Sequence, residues 1–249
     1  MINIFYRLSA SDKPETRPYW FSKELCFKSF LLSLSEIKTY SLTILVDGDF
    51  NLFDINTIMN DFSIIGNIET ISIKENSSSF LYAMERALSL NSNEVVYFSE
   101  DDYLYTDEAF EKLNNLLEES FCDYITLYDH PVRYASSYEF GLDIPNKKEK
   151  IFISKNHHWR TQESTCMTFA SKVDILKEDL HMFKTYLKDK VPQDRELFRK
   201  LQGFSGYEED SPNRILVGPI PSLATHCHKD WIAPIVDWVS IIKNLSNNK

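Results

Sequence analysis

Short apolar runs alternate with amphipathic stretches through the first half of the chain. Residues 2–8 read as a strand that starts almost at the first residue. Pro14 and Pro18 interrupt the chain and set up a helix over about 19–35. Residues 40–46 form a second apolar run, closed by the turn signal Asp47-Gly48-Asp49. Residues 51–62 pattern as a helix, and 68–74 alternate as a third strand. Asn76-Ser77-Ser78-Ser79 reads as a polar loop and N-cap for a helix over 80–90. A buried strand over 94–98, a helix over about 107–119 and a strand over 123–128 follow. Strands alternating with helices predict βαβ units, hence an α/β fold with a mostly parallel sheet flanked by helices.

The rhythm changes after residue 130. Residues 131–170 are rich in aromatics, turns and short extended runs, among them His157-His158-Trp159-Arg160. Helices are expected over 171–187 and 192–201, a strand over 215–218, and a last helix over 231–245. No internal repeat or long low-complexity linker divides the 249 residues, so one domain with two functional halves, 1–130 and 131–249, is expected.

The chain is 43% hydrophobic and 14% aromatic, ample for a core, with a formal net charge of −10 and a pI of about 5.1. Such a balance argues against a nucleic-acid backbone as the main partner, although a local basic patch is compatible with it. Cys26, Cys122, Cys166 and Cys227 are widely spaced, with no C-x-x-C pair, so neither a zinc knuckle nor a disulfide framework is indicated. Reduced cysteines and a cytoplasmic location are the expectation. The N-terminus shows no signal-peptide pattern, and no apolar run reaches the ~18 residues of a membrane span. The absence of G-x-G-x-x-G, Walker and G-x-S-x-G sequences speaks against a dinucleotide dehydrogenase, a P-loop phosphotransferase and an α/β-hydrolase.

The most informative stretch is 95–105, where an apolar run ends in Glu100, Asp101 and Asp102. Ligands of open α/β sheets bind beyond the carboxyl ends of the strands. Adjacent carboxylates there repel one another unless a cation compensates them, and oxygen ligands of this kind suit Mg²⁺ or Mn²⁺ completed by substrate phosphates. A single acid would read as a helix cap; three at a strand end favour a metal-dependent enzyme acting on a phosphorylated donor. Tyr6 and Arg7 end the first strand, Asp47 the second, and Ser79 follows the third. Together they could hold a base, a ribose and a diphosphate, Arg7 through its planar fork, although each alone is more often a turn or cap residue.

Several blocks resemble GT-A glycosyltransferases of the family-2 kind, and more narrowly a group of short glycosyltransferase-like proteins from viruses and bacteria. These are 96–104 with its acidic triplet, 126–131 ending Asp129-His130-Pro131, His158-Trp159-Arg160 with 164–169, Pro192-Gln193-Asp194, and Thr225-His226 with Pro234 and Asp237-Trp238. They run in order over roughly 2–238. The resemblance implies a Rossmann-like sheet with a C-terminal extension on the acceptor side and a nucleotide-sugar donor such as a UDP-sugar. It implies Mn²⁺ or Mg²⁺ held by Asp102 and His226, with Glu100 on ribose or metal-bound water and Asp101 structural. It makes Asp194 the base of an inverting transfer, with Glu196 as backup. An acid in a helix's first turn also simply complements the dipole, and a retaining path stays open. His158 and Trp159 would form an acceptor shelf, Arg160 would neutralise the leaving diphosphate, and Asp129 and His130 would face the cleft. Against these stand a core role for Trp159 and a turn role for Asp129. His228 has no assigned role. The acceptor is expected to be a glycan hydroxyl or, less favoured, a hydroxymethylated DNA base. The latter needs a basic groove, for which Lys147, Lys148, Lys150 and Lys155 are the only cluster. Two other readings remain: a sugar-nucleotide nucleotidyltransferase, disfavoured because residues 8–13 lack glycine, and a non-catalytic carbohydrate- or partner-binding module.

Overall fold

The computed structural model describes residues 1–119, 121–134 and 149–247. Lys147 and Lys148 lie outside them; Lys150 and Lys155 are exposed. The order of elements is β1 (Ile2–Ser9), α1 (Lys23–Ser35), β2 (Tyr40–Asp47), α2 (Ile55–Asp61), β3 (Asn67–Ile71), α3 (Asn76–Leu88), β4 (Val95–Glu100), β5 (Tyr103–Tyr105) and α4 (Ala109–Leu117). Then come β6 (Tyr124–Ile125), β7 (Ile151–Ser154), β8 (His157–Thr161), β9 (Phe169–Lys172), α5 (Val173–Tyr186), α6 (Asp194–Gln202), β10 (Leu216–Ile220), β11 (Ala224–His226) and α7 (Trp238–Asn247).

Nine strands form one sheet in the order β3-β2-β1-β4-β9-β6-β10-β8-β7, which draws on both halves of the chain. β1 to β4 are mutually parallel, β9 and β8 run against the rest, and the sheet is mostly parallel overall. β1 shows how sequence becomes layers. Its side chains alternate: Ile2, Ile4, Tyr6 and Leu8 enter one core with α1, while Phe5 enters the other with α3. Strands buried on both faces read as continuous apolar runs, which is why β1, β2 and β4 fall within two residues of expectation.

The differences have local causes. α1 starts at Lys23 because the Ser22 side chain caps it, accepting from the Leu25 amide at 3.1 Å. Residues 76–79 are the first turn of α3, not a loop before it. β5 was not expected. The last helix begins at Trp238, since Pro234 and a left-handed Ile235 (φ 76°) break the stretch before it. Among the described residues no helix is long and apolar enough to cross a membrane.

Candidate functional site

The ends of β1, β2 and β4, the first turn of α3 and the segment after β11 surround a cavity of about 460 Å³. Arg7 and Glu100 are register partners on adjacent parallel strands. The Arg7 guanidinium pairs with Glu100, donates to the Asn76 carbonyl at 3.1 Å and Asn76 Oδ1 at 2.8 Å, and lies over the Phe80 ring. Asp101 and Asp102 occupy the turn between β4 and β5. β5 pairs antiparallel with β11 so that His226 lies opposite Tyr103, and the Cys227 amide extends the ladder to the Asp102 carbonyl at 2.8 Å. This small ladder carries His226 from the far end of the chain to the acidic turn. Its ring stacks on Tyr103 at 5.4 Å, and Nε2 stands 3.2 Å from Asp102 Oδ2.

Each acid of the triplet has a cation of this chain beside it. Glu100 has Arg7. Asp101 Oδ2 accepts from Lys23 Nζ at 2.8 Å and from the Ser9 amide at 2.7 Å. Asp102 Oδ2 lies 2.9 Å from Arg17. Burial pushes the Glu100 carboxyl up to about 7 against the pull of Arg7, and Asp101 up to about 6 against Lys23. Burial also opposes ionisation of Asp102, but His226 and Arg17 outweigh it and hold that carboxyl well below the usual range. Burial opposes a charged His226 in turn; Asp102 outweighs it and raises the imidazole.

Asp102 Oδ1 is buried with no hydrogen-bond partner, beside a histidine. Among the described residues no group of three or more His, Cys, Asp or Glu could hold a metal ion unaided. Asp102 and His226 are two side chains of metal-ligating type, and a divalent ion held by them would need its remaining ligands from substrate oxygens and water, as Mg²⁺ often has.

Of the residues expected here, Arg7, Asp47, Ser79, Glu100, Asp101, Asp102 and His226 line this cavity, and so does His228. Tyr6 does not: it is fully buried, with its ring against Phe27 and Phe30. If Arg7 faces the cleft, strand alternation turns Tyr6 to the other side. Both carboxylate oxygens of Asp47 are committed, accepting from the Ile73 amide at 2.8 Å and the Lys74 amide at 2.9 Å. Asp47 thus fixes the approach to α3, including left-handed Lys74 (φ 67°).

A second cavity, about 330 Å³, holds His130, Asp194 and Glu196, with Glu163, Arg195 and Trp231 on its wall. Trp231, on the wall of this cavity, has its ring 5.1 Å from His130 and 6.0 Å from His228, which lines the first cavity. His130 Nδ1 accepts from the Val132 amide at 3.1 Å, and burial pushes its imidazole down to about 3, so the ring is neutral. Asp194 accepts five hydrogen bonds. Oδ2 takes Ser164 Oγ, the Thr165 amide (3.1 Å) and the Cys166 amide (3.0 Å); Oδ1 takes Thr165 Oγ1 (2.7 Å) and the Met167 amide (3.0 Å). It anchors a turn in which Cys166 and Met167 both take left-handed backbone (φ 47° and 58°). No hydrogen bond or ion pair among the described residues engages Glu196.

The remaining expected residues lie elsewhere. Asp129 and Arg160 form a buried ion pair at 2.6 Å, with Gln162 donating to the same Asp129 oxygen, so Arg160 is not free for a diphosphate. Trp159 is wholly buried in the core, and His158, the second residue of β8, is exposed; neither lines either of the two cavities.

Sequence reasoning missed Arg17, Lys23 and Glu163. Lys23 carried a signal: a cation in a helix's first turn opposes the macrodipole, and here the buried ammonium is held by Asp101 and the Ser9 and Ser11 carbonyls at 2.6 Å each. Glu163 is buried between Arg195 (3.2 Å) and Arg199 (2.9 Å), which nothing local in the sequence foretells.

No family model and no curated protein matches the sequence. Among solved structures, S. aureus TarS 1-349 is 11% identical, with a TM-score of 0.43 over 72% of this chain and 48% of that one. The same protein in complex with UDP is 12% identical, with a TM-score of 0.44 over 87% of this chain and 57% of that one. The inositol-1-phosphate CTP transferase from T. maritima is 11% identical, with a TM-score of 0.47 over 98% and 96%. The chain spans about half the length of the first TarS structure.

Proposed function

We propose that the chain is a glycosyltransferase that moves a sugar from a nucleotide-sugar donor to a hydroxyl acceptor. The observation that carries the reading is the meeting of Asp102 and His226, 3.2 Å apart, in a cavity at the carboxyl ends of parallel strands. The ordered sequence blocks that resemble GT-A enzymes, to which Asp102 and His226 belong, support it as well. The donor's nucleotide and diphosphate occupy the first cavity, and the acceptor enters the second, past Trp231. Asp102 and His226 would hold Mn²⁺ or Mg²⁺ together with donor oxygens. When bound, the ion supplies charge neutralisation for the departing nucleoside diphosphate.

The chain's own groups do the rest. Arg7, fixed by Glu100 and Asn76, presents its edge to the diphosphate side of the cavity. Neutral His130 and Trp231, in ring contact at 5.1 Å, would line the acceptor's approach to the donor. Removal of the acceptor proton falls to Glu196. A carboxylate has about four lone-pair positions, and those of Asp194 are spent on the 164–167 turn, whereas the Glu196 side chain, on the same wall, has no hydrogen-bond or ion-pair partner among the described residues. Attack opposite the leaving group then inverts the sugar carbon.

Thermal-shift titration with UDP, GDP and CDP, with and without Mn²⁺, tests the first cavity. Stabilisation by one nucleoside diphosphate, weakened in Asp102→Ala, is expected. A response to none of them contradicts the reading. Release of pyrophosphate from a nucleoside triphosphate and a sugar phosphate would assign the protein to the nucleotidyltransferases instead.

A further inference from the structure

Arg17 lies between β1 and α1, and its side chain is 13% exposed on the wall of the first cavity. Nε donates to Asp12 Oδ1 at 2.8 Å, and Nη1 donates to the Cys227 carbonyl at 3.0 Å. The guanidinium covers the Phe21 ring at 4.6 Å. Nη1 also stands 2.9 Å from Asp102 Oδ2, the oxygen that His226 approaches, while Asp102 Oδ1 has no partner. A carboxylate already paired with a guanidinium attracts a second cation less, because the two cations repel each other across a few ångströms of partly buried space. A guanidinium held this way is always charged and matches phosphate oxygens with its planar fork. Neither Arg7 nor Lys23 takes its place beside Asp102, since Glu100 and Asp101 already hold them.

We propose that Arg17 is a built-in cation of the diphosphate site, sharing Asp102 with the divalent ion: it competes with the ion for that carboxylate and binds the donor's diphosphate. The second half rests on the transferase reading; the first does not. Two consequences follow. Divalent-ion affinity of the free protein is low because of Arg17, and nucleoside diphosphate retains measurable affinity without metal because of Arg17. A purely structural Arg17, holding the strap at Cys227, would give neither.

The test uses Arg17→Gln, which keeps a donor for the Cys227 carbonyl, and Arg17→Lys, which keeps the charge. Circular dichroism confirms folding, and Arg17→Lys serves as the charge control if the Gln variant is less stable. Mn²⁺ alone is titrated and free ion is read by electron paramagnetic resonance; UDP, GDP and CDP are titrated calorimetrically in EDTA. Arg17→Gln should bind Mn²⁺ at least about tenfold more tightly than wild type and lose a similar factor in metal-free nucleotide affinity, with Arg17→Lys close to wild type for Mn²⁺, where the charge decides, and between the two for nucleotide, where the fork is lost. Equal or weaker Mn²⁺ binding by Arg17→Gln, or no Mn²⁺ binding by any of the proteins, overturns the competition. If no nucleotide binds wild type with or without metal, the transferase reading fails, while the Mn²⁺ arm still decides whether Arg17 and the ion share Asp102.

Discussion

Replacing Asp194 by Asn separates a structural anchor from a catalytic base. The amide has one acceptor oxygen where the carboxylate has two. With Nδ2 in the place of Oδ1 it faces Thr165 Oγ1, which can turn and accept, and the Met167 amide, which cannot. With Nδ2 in the place of Oδ2 it faces two amides, of Thr165 and Cys166. The first orientation is the cheaper. It loses a hydrogen bond to a charged group, worth about 1.5–3 kcal/mol, while the Met167 amide keeps a second acceptor in Thr165 Oγ1 at 3.1 Å. The turn it releases contains two left-handed non-glycine residues, Cys166 and Met167, which persist only where the surroundings hold them. The expected loss is about 2–3 kcal/mol, a substantial part of a typical domain's stability. Denaturant unfolding should show it as a lower midpoint at unchanged slope, and calorimetry as a fall of roughly 5–10 °C in Tm. The companion variant Glu196→Gln should leave the midpoint within about 0.5 kcal/mol, as surface changes do, and lower turnover by about 10²–10⁴ as loss of a general base does. Asp194→Asn within about 1 kcal/mol of wild type and nearly inactive, beside an active Glu196→Gln, would refute the argument and return the base to Asp194.

Three further outcomes are expected. Lys23→Met strands Asp101, buried and losing the only cation paired with it among the described residues, and should cost about 3–5 kcal/mol in urea unfolding; Lys23→Met with Asp101→Asn should recover much of it, and a purely additive double variant would deny the coupling. His130 is neutral in the fold, with a pKa near 3 against the ordinary value of 6.5, so its contribution is present above about pH 6.5 and is lost as pH falls towards 3. Over that window wild type should lose stability more steeply than His130→Gln, by at most about 1.4 kcal/mol per pH unit, and parallel curves would contradict the burial argument. Asp47→Asn should leave one of the Ile73 and Lys74 amides without its acceptor and weaken nucleoside diphosphate affinity by disordering the entry to α3; unchanged affinity would show that the approach to α3 does not matter to the site.

Particular residues show how far the sequence could be read. β1, β2 and β4 were legible because both their faces are buried, and the acidic triplet because three charges directly after such a run have few structural uses. Arg7 and Tyr6 could not both face the cleft. Strand alternation already said so, and the fold places only Arg7 there. Pro234 likewise announced that the last helix could not start at 231. Other features depend on pairings far apart in the chain. The three residues of β5 have no periodicity of their own and exist because β11, more than a hundred residues later, pairs with them. The Asp129–Arg160 pair, the Glu163 cluster and the cations beside the triplet are tertiary facts of the same kind. His226 was placed by resemblance, and the physical reason for its position is the β5–β11 ladder.

The most direct test of the account is release of nucleoside diphosphate from UDP-, GDP- and CDP-sugars by wild type and by Asp102→Asn, with Mn²⁺ and with EDTA. Metal-stimulated release from one donor by wild type, lost in Asp102→Asn, is the predicted result. Equal release by the two proteins, or none from any donor alongside an absence of nucleotide binding, would contradict it.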